Sequence, residues 1–127
     1  NTILLGELSD FWNLHPVIKS PTTAQLDTLF AGCEADLVFY GHHHPPADAV
    51  GRARYINPGT LGCSADGMAR YVMLYIAEDG PMRLKKHAVP YDRERVLRDL
   101  NRRRVPGREF IARTFLKATL EPSPPRP

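Results

Sequence analysis

Three consecutive histidines, His42, His43 and His44, stand between Gly41 and the pair Pro45-Pro46. They are entered from Leu37-Val38-Phe39-Tyr40, a short apolar run rich in β-branched and aromatic residues. Such a run predicts a buried strand ending where the histidines begin. Pro45 keeps His44 out of the helical region. In an extended backbone, residues i and i+2 face one way, about 6–7 Å apart along the chain. His42 and His44 are therefore expected on one side and His43 on the other. Two imidazoles so placed suit a pair of metal ions about 3.5–4 Å apart, one imidazole to each. Zinc, iron, nickel and manganese are the ions considered for such a ligand set. The competing reading is a solvated histidine loop, and spacing alone does not choose between the two. A purification tag is set aside, because the triplet is internal and lies between a strand-like run and two prolines.

The elements that would position these histidines follow from local pattern. Ser20-Pro21-Thr22-Thr23-Ala24-Gln25-Leu26 reads as a helix start with a hydroxyl cap. Leu26, Leu29 and Phe30 fall at i, i+3 and i+4, predicting one buried stripe, and Gly32 is expected to end the helix as its C-terminal cap. Asp36 leads into the strand, whose carboxyl end carries the histidines. In open α/β sheets, ligands gather at such carboxyl ends. Residues 48 to 62 read as a hairpin turning at Gly51, with Arg54-Tyr55-Ile56 as a short strand running into Asn57-Pro58-Gly59. Pro58 and Gly59 force a sharp turn, and Gly59 tolerates a positive φ. Thr60 and the amides around Gly59 and Gly62 could then face a phosphate. As an isolated tripeptide, Asn-Pro-Gly is simply a tight turn.

Taken together, Gly41-His42-His43-His44-Pro45-Pro46 and Asn57-Pro58-Gly59-Thr60-Leu61-Gly62 resemble the last two motifs of the calcineurin-like metallophosphoesterase superfamily. The match is best to its small bacterial and archaeal phosphodiesterase-like branch. There the pattern is Gly-His-x-His-x-Pro, a short hairpin, then Asn-Pro-Gly-Ser/Thr-x-Gly. The resemblance covers roughly residues 24 to 90. It implies an α/β fold: a mixed sheet with flanking helices, part of a four-layer αββα sandwich. It also implies hydrolysis of a phosphoester at a centre of two divalent metal ions. On it, His42 binds the second metal and His44 the first, while Asn57 and Thr60 lie at the substrate side, more as support than as chemistry. No catalytic acid or base is assigned within this chain.

Three of the family's upstream motifs, Asp-x-His, Gly-Asp-x-x-Asp and Gly-Asn-His-Asp/Glu, do not occur here. The resemblance therefore implies that residues 1–120 are the C-terminal half of a metallophosphoesterase domain whose N-terminal half lies in the same or a separate chain. Such a half alone is expected to bind metal weakly and to lack phosphodiesterase activity. His15, in Leu14-His15-Pro16, does not fit the family's isolated upstream ligand and reads as a loop histidine. The alternative from a different class is a degenerate phosphoesterase fold acting as a scaffold or binding subunit.

The rest of the chain bounds these readings. At 127 residues it can bury a real core, and no apolar run approaches the about 18 residues of a membrane span. Cys33 and Cys63 are widely spaced and in no metal or redox pattern. They read as small buried hydrophobes in a reducing, cytoplasmic compartment. Residues 71–76 are apolar at both parities, predicting a strand covered on both faces. A second strand, 82–89, is expected half exposed with His87 in solvent. Two helices follow from Asp92, the first with a Val96, Leu97, Leu100 stripe. The second carries Phe110, Ile111, Thr114, Phe115 and Ala118 on one side, and residues 121–127 form a Pro-rich tail. Arg98, Arg102 to Arg104 and Arg108 could suggest a nucleic-acid footprint. Interleaved Glu94, Asp99 and Glu109 and a net charge of only +3 argue instead for a solvated face of ion pairs.

Overall fold

The computed structural model describes residues 3–7, 18–78 and 80–121. His15 and the tail beyond Glu121 lie outside that range. The elements in chain order are β1 (Ile3–Glu7), α1 (Thr23–Leu29), β2 (Leu37–Gly41), β3 (Ala47–Val50), β4 (Arg54–Asn57), β5 (Met68–Tyr75), β6 (Arg83–Pro90), α2 (Arg93–Arg102) and α3 (Arg108–Thr114). The protein is thus mixed α/β, with small sheets and three helices. The chain divides into two compact units, residues 1–60 with 70–87, and residues 61–69 with 88–127.

The first unit holds a four-stranded sheet in the order β1-β2-β4-β3. β1, β2 and β4 run parallel, and β3 returns antiparallel to β4. The hairpin expected from residue 48 is therefore present, with β4 inserted beside β2. Thr22 caps α1: its side chain accepts from the Gln25 amide, and the Gln25 side chain accepts from the Thr22 amide. This reciprocal box satisfies two amides that would otherwise lack partners. The helix presents Leu26 to the sheet, where it is enclosed with Val38, Tyr40, Ala53 and Tyr55. Phe30 completes the face by stacking on Tyr55, ring centroids 5.8 Å apart.

The expected stripe is narrower than the spacing suggested. Leu29 is exposed, and α1 stops at Leu29 with Phe30 as its C-cap, not at Gly32. Seven residues make only two turns, so a single apolar row suffices to seat the helix. Asp27 supplies a polar lock beside that row. Its carboxylate accepts from the Tyr55 hydroxyl at 2.7 Å and the Arg52 amide at 2.8 Å. Those two bonds hold its carboxyl below the usual range, the Arg52 amide contributing most. Gly51 packs under this lock: a Cβ there would fall onto the Asp27 carboxylate and 2.7 Å from Thr23 Cγ2. Gly51→Ala should therefore lower stability by about 1–3 kcal/mol, measured by urea denaturation.

A second polar tie joins the edge strand to β6. Arg54 donates to the Asp48 carboxylate through Nε at 3.0 Å and through its terminal nitrogen at 2.9 Å, and Lys86 Nζ donates to the same group. The Arg54 bonds first, then Lys86, hold the Asp48 carboxyl down at about 2 against an ordinary 3.8, with partial burial opposing them. A depressed carboxyl stabilises the fold fully above its unfolded pKa and loses that contribution as pH falls through the folded one. Asp48→Asn should thus cost on the order of 1 kcal/mol at pH 7, allowing for the exposure of both cations, and only a small part of that near pH 2, where the folded carboxyl is half protonated. Denaturant midpoints at the two pH values measure this directly.

β5 and β6 form a two-stranded sheet. The expectation that residues 71–76 are covered on both faces is corrected here. Tyr71, Met73 and Tyr75 are exposed while Val72 and Leu74 are half-buried, so one face is open. An apolar run reports the cost of exposure, and this strand accepts that cost on one side. His87 is also corrected. It is half-buried, its ring stacks on Tyr71 at 4.7 Å and 6°, and its Nε2 is enclosed. Cys33, read as a buried hydrophobe, is exposed, and Cys63 is half-buried.

In the second unit, Leu97 of α2 meets Ala112 of α3 and Leu116, all buried, with Leu100, Ala118 and Leu120 against them. Val96 and Phe110 fall outside this core, and Phe110 instead packs edge-on against Phe115 at 5.9 Å. Asp92 caps α2 by accepting from the Arg95 amide. Tyr91 and Arg93 pin the preceding loop, donating to the carbonyls of Gly62 and Ala65, each at 2.8 Å. Arg102 and Arg103 both pair with Asp99, and Arg98 pairs with Asp92. Among the described residues no helix is long and apolar enough to cross a membrane.

Candidate metal centre

The parallel strands bring their carboxyl ends to one edge of the sheet. Glu7 of β1 lies in register with Gly41 of β2, and Phe39 of β2 with Ile56 of β4. The loop that follows Gly41 and the turn that follows Asn57 therefore emerge side by side. This is the edge at which the strand-end argument placed the site.

The histidine loop does not leave the strand extended. His42 has φ of +71°, in the left-handed region. This removes the extended-backbone premise from which His42 and His44 were expected to share a side. The chain turns at once after Gly41, because the segment that follows is tied to the neighbouring turn. His42 itself is exposed, while His43 and His44 are half-buried. A side chain other than glycine in this region costs roughly 1–2 kcal/mol, and histidine, like Asn and Asp, is over-represented among the exceptions. That enrichment is the one signal in the sequence that could have flagged the turn.

The tie is made by Asn57. It is 2% exposed, a buried polar residue at the end of β4. Its Nδ2 donates to the His43 carbonyl, and its Oδ1 accepts the Gly59 amide at 2.9 Å. Gly59 has φ of +95°, as its place after Asn-Pro required. A Cβ there would lie 3.1 Å from Arg70 Cδ and 3.4 Å from the His44 carbonyl oxygen. The positive φ, more than the space around it, is what favours glycine here. Asn57 thus spends its amide on the chain's own backbone. Thr60 is half-buried in the same turn, and its carbonyl accepts the Arg70 amide at 2.9 Å.

Two further residues, unassigned from the sequence, take part. His43 Nε2 lies 3.3 Å from the Ser20 amide and 3.4 Å from Ser20 Oγ. Ser20 immediately precedes the α1 cap segment and is itself left-handed, with φ of +51°.

The donor set can be tested against the two ions that the resemblance implies. His42 and His44 lie on the loop that Asn57 ties through the His43 carbonyl. Among the described residues, no three side chains of His, Cys, Asp or Glu come together as an ion holder. Two imidazoles alone would leave most of each ion's coordination sphere unfilled. No family model matches the chain, and no curated protein matches it either.

Proposed function

We propose that this chain contributes the Gly-His-x-His portion of a dinuclear centre that hydrolyses phosphoesters, within a sandwich of two sheets flanked by helices. The observation that carries the reading is the left-handed backbone at His42. Glycine would fit that position more cheaply, and backbone strain of this kind collects where a side chain is wanted for function. Here the strained residue is an imidazole at the carboxyl end of a parallel strand, beside a turn of the Asn-Pro-Gly type.

His42 and His44 would hold the ions, one each, with the remaining donors supplied from outside the described residues. Divalent ions bound there neutralise phosphoester charge and acidify water at neutral pH. Asn57 acts one step back, fixing the peptide between His43 and His44 so that the two rings leave a rigid loop. Gly59, at φ of +95°, completes the turn beside that loop. The phosphoester would lie over the same edge, where the amides after Gly59 and the Thr60 hydroxyl are the groups this chain offers to it.

Cobalt(II) titration of the chain tests the reading. Weak binding, abolished by His42→Ala and by His44→Ala, is expected. Binding that neither substitution weakens, or no binding at all, overturns it. Without the other donors, the chain alone should not turn over a chromogenic phosphodiester in cobalt or manganese. Turnover lost in His42→Ala would instead mean that the 127 residues complete a working site.

A further inference from the structure

We propose that His43, the middle histidine, is a positioning residue that sets the turn at His42 by accepting the Ser20 amide on its ring. Three strands of argument meet on it. Its Nε2 faces the Ser20 amide at 3.3 Å and the Ser20 hydroxyl at 3.4 Å. Its carbonyl accepts from the buried Asn57 amide. It is half-buried, while His42 before it is exposed.

A ring nitrogen that accepts an N–H cannot carry its own proton, so the His43 proton resides on Nδ1. His43 is then held at both ends, by the ring against the segment before α1 and by the carbonyl against the end of β4. Gly41 is held in β2, in register with Glu7. One residue is left in which the chain can change direction between these anchors, and that residue is His42. The left-handed φ at His42 follows from the two anchors and does not need any contact of its own ring. Ser20, on the other side of the bond, is also left-handed, with φ of +51°.

Loss of the ring acceptor frees the His42 backbone to relax toward an extended conformation and moves its imidazole. The consequence for metal rests on the proposed function; the tie between His43 and Ser20 does not. Outer groups that orient a metal-binding side chain typically change affinity 10- to 100-fold.

The test compares His43→Phe, which keeps a ring and removes the acceptor, with His43→Gln, which places an amide oxygen close to the position of Nε2. Imidazole nitrogen shifts in the unsubstituted protein should show His43 as the Nδ1–H tautomer, the minor neutral form of a free histidine side chain. His43→Phe should lose at least 10-fold in cobalt(II) affinity, and His43→Gln should stay within about 3-fold of the unsubstituted protein. The Ser20 amide resonance should move in the Phe variant and return in the Gln variant. An Nε2–H tautomer at His43, or a Ser20 resonance indifferent to His43→Phe, overturns the proposal. So does a Gln variant that behaves like the Phe one in the Ser20 signal. If the unsubstituted protein binds no cobalt, the metal reading fails, and the tautomer and the Ser20 resonance still decide the role of His43.

Discussion

His42→Gly should make the protein more stable by about 1 kcal/mol and at the same time abolish the proposed metal binding. The two effects have separate origins. At φ of +71° an L-residue carries a steric cost that glycine does not, and the greater freedom of glycine in the unfolded chain gives part of the gain back. His42 is exposed, so no buried area is lost with its ring. His42→Ala should separate the terms. It keeps the backbone strain and removes the imidazole, so stability should change by less than about 0.5 kcal/mol while cobalt(II) binding is lost as in the glycine variant. Urea denaturation of both variants beside cobalt titration gives all four numbers. A glycine variant less stable than the unsubstituted protein would mean that the His42 ring supports the fold, and the functional explanation of its strain would fall.

The sequence reaches the elements of this edge but not the way they are fastened. Thr22 and Gln25 are three residues apart, so a capping box is legible from local spacing, and the structure has it. Leu37 to Tyr40 needs only its own apolarity to be read as a strand. Gly59 was legible as well, since an Asn-Pro-Gly turn leaves few other conformations. The hand of the backbone at His42 is different in kind. It is imposed by bonds reaching from Ser20, 23 residues before His43, and from Asn57, 14 residues after it. No periodicity carries that information. The same limit explains Tyr71, Met73 and Tyr75. Their apolarity was plain, but whether a face is covered depends on what packs there, and hydropathy along one strand does not contain it. His87 looked like a solvent-facing member of an alternating strand for want of the Tyr71 ring that lies over it.

Asn57 is where this dependence on distant partners can be measured most sharply. Asn57→Ala should destabilise the protein by about 2–4 kcal/mol, since it removes two hydrogen bonds from a residue 2% exposed and leaves the His43 carbonyl and the Gly59 amide to find other partners. Asn57→Asp discriminates between those two bonds. A carboxylate still accepts the Gly59 amide through Oδ1 but brings a second acceptor against the His43 carbonyl. At neutral pH the aspartate variant should be at least as unstable as the alanine variant. On acidification it should recover, because the protonated carboxyl can donate where the amide did. The sign follows from linkage: a buried carboxyl facing an acceptor has a raised folded pKa, so its unfavourable charge disappears as pH falls through that value. Alanine has no such group and should show no comparable recovery. Denaturant midpoints from pH 7 to pH 4 for the two variants carry the test. An aspartate variant as stable as the unsubstituted protein at pH 7 would show that the bond to His43 does not hold the loop, and that the Gly59 bond alone shapes this edge of the sheet.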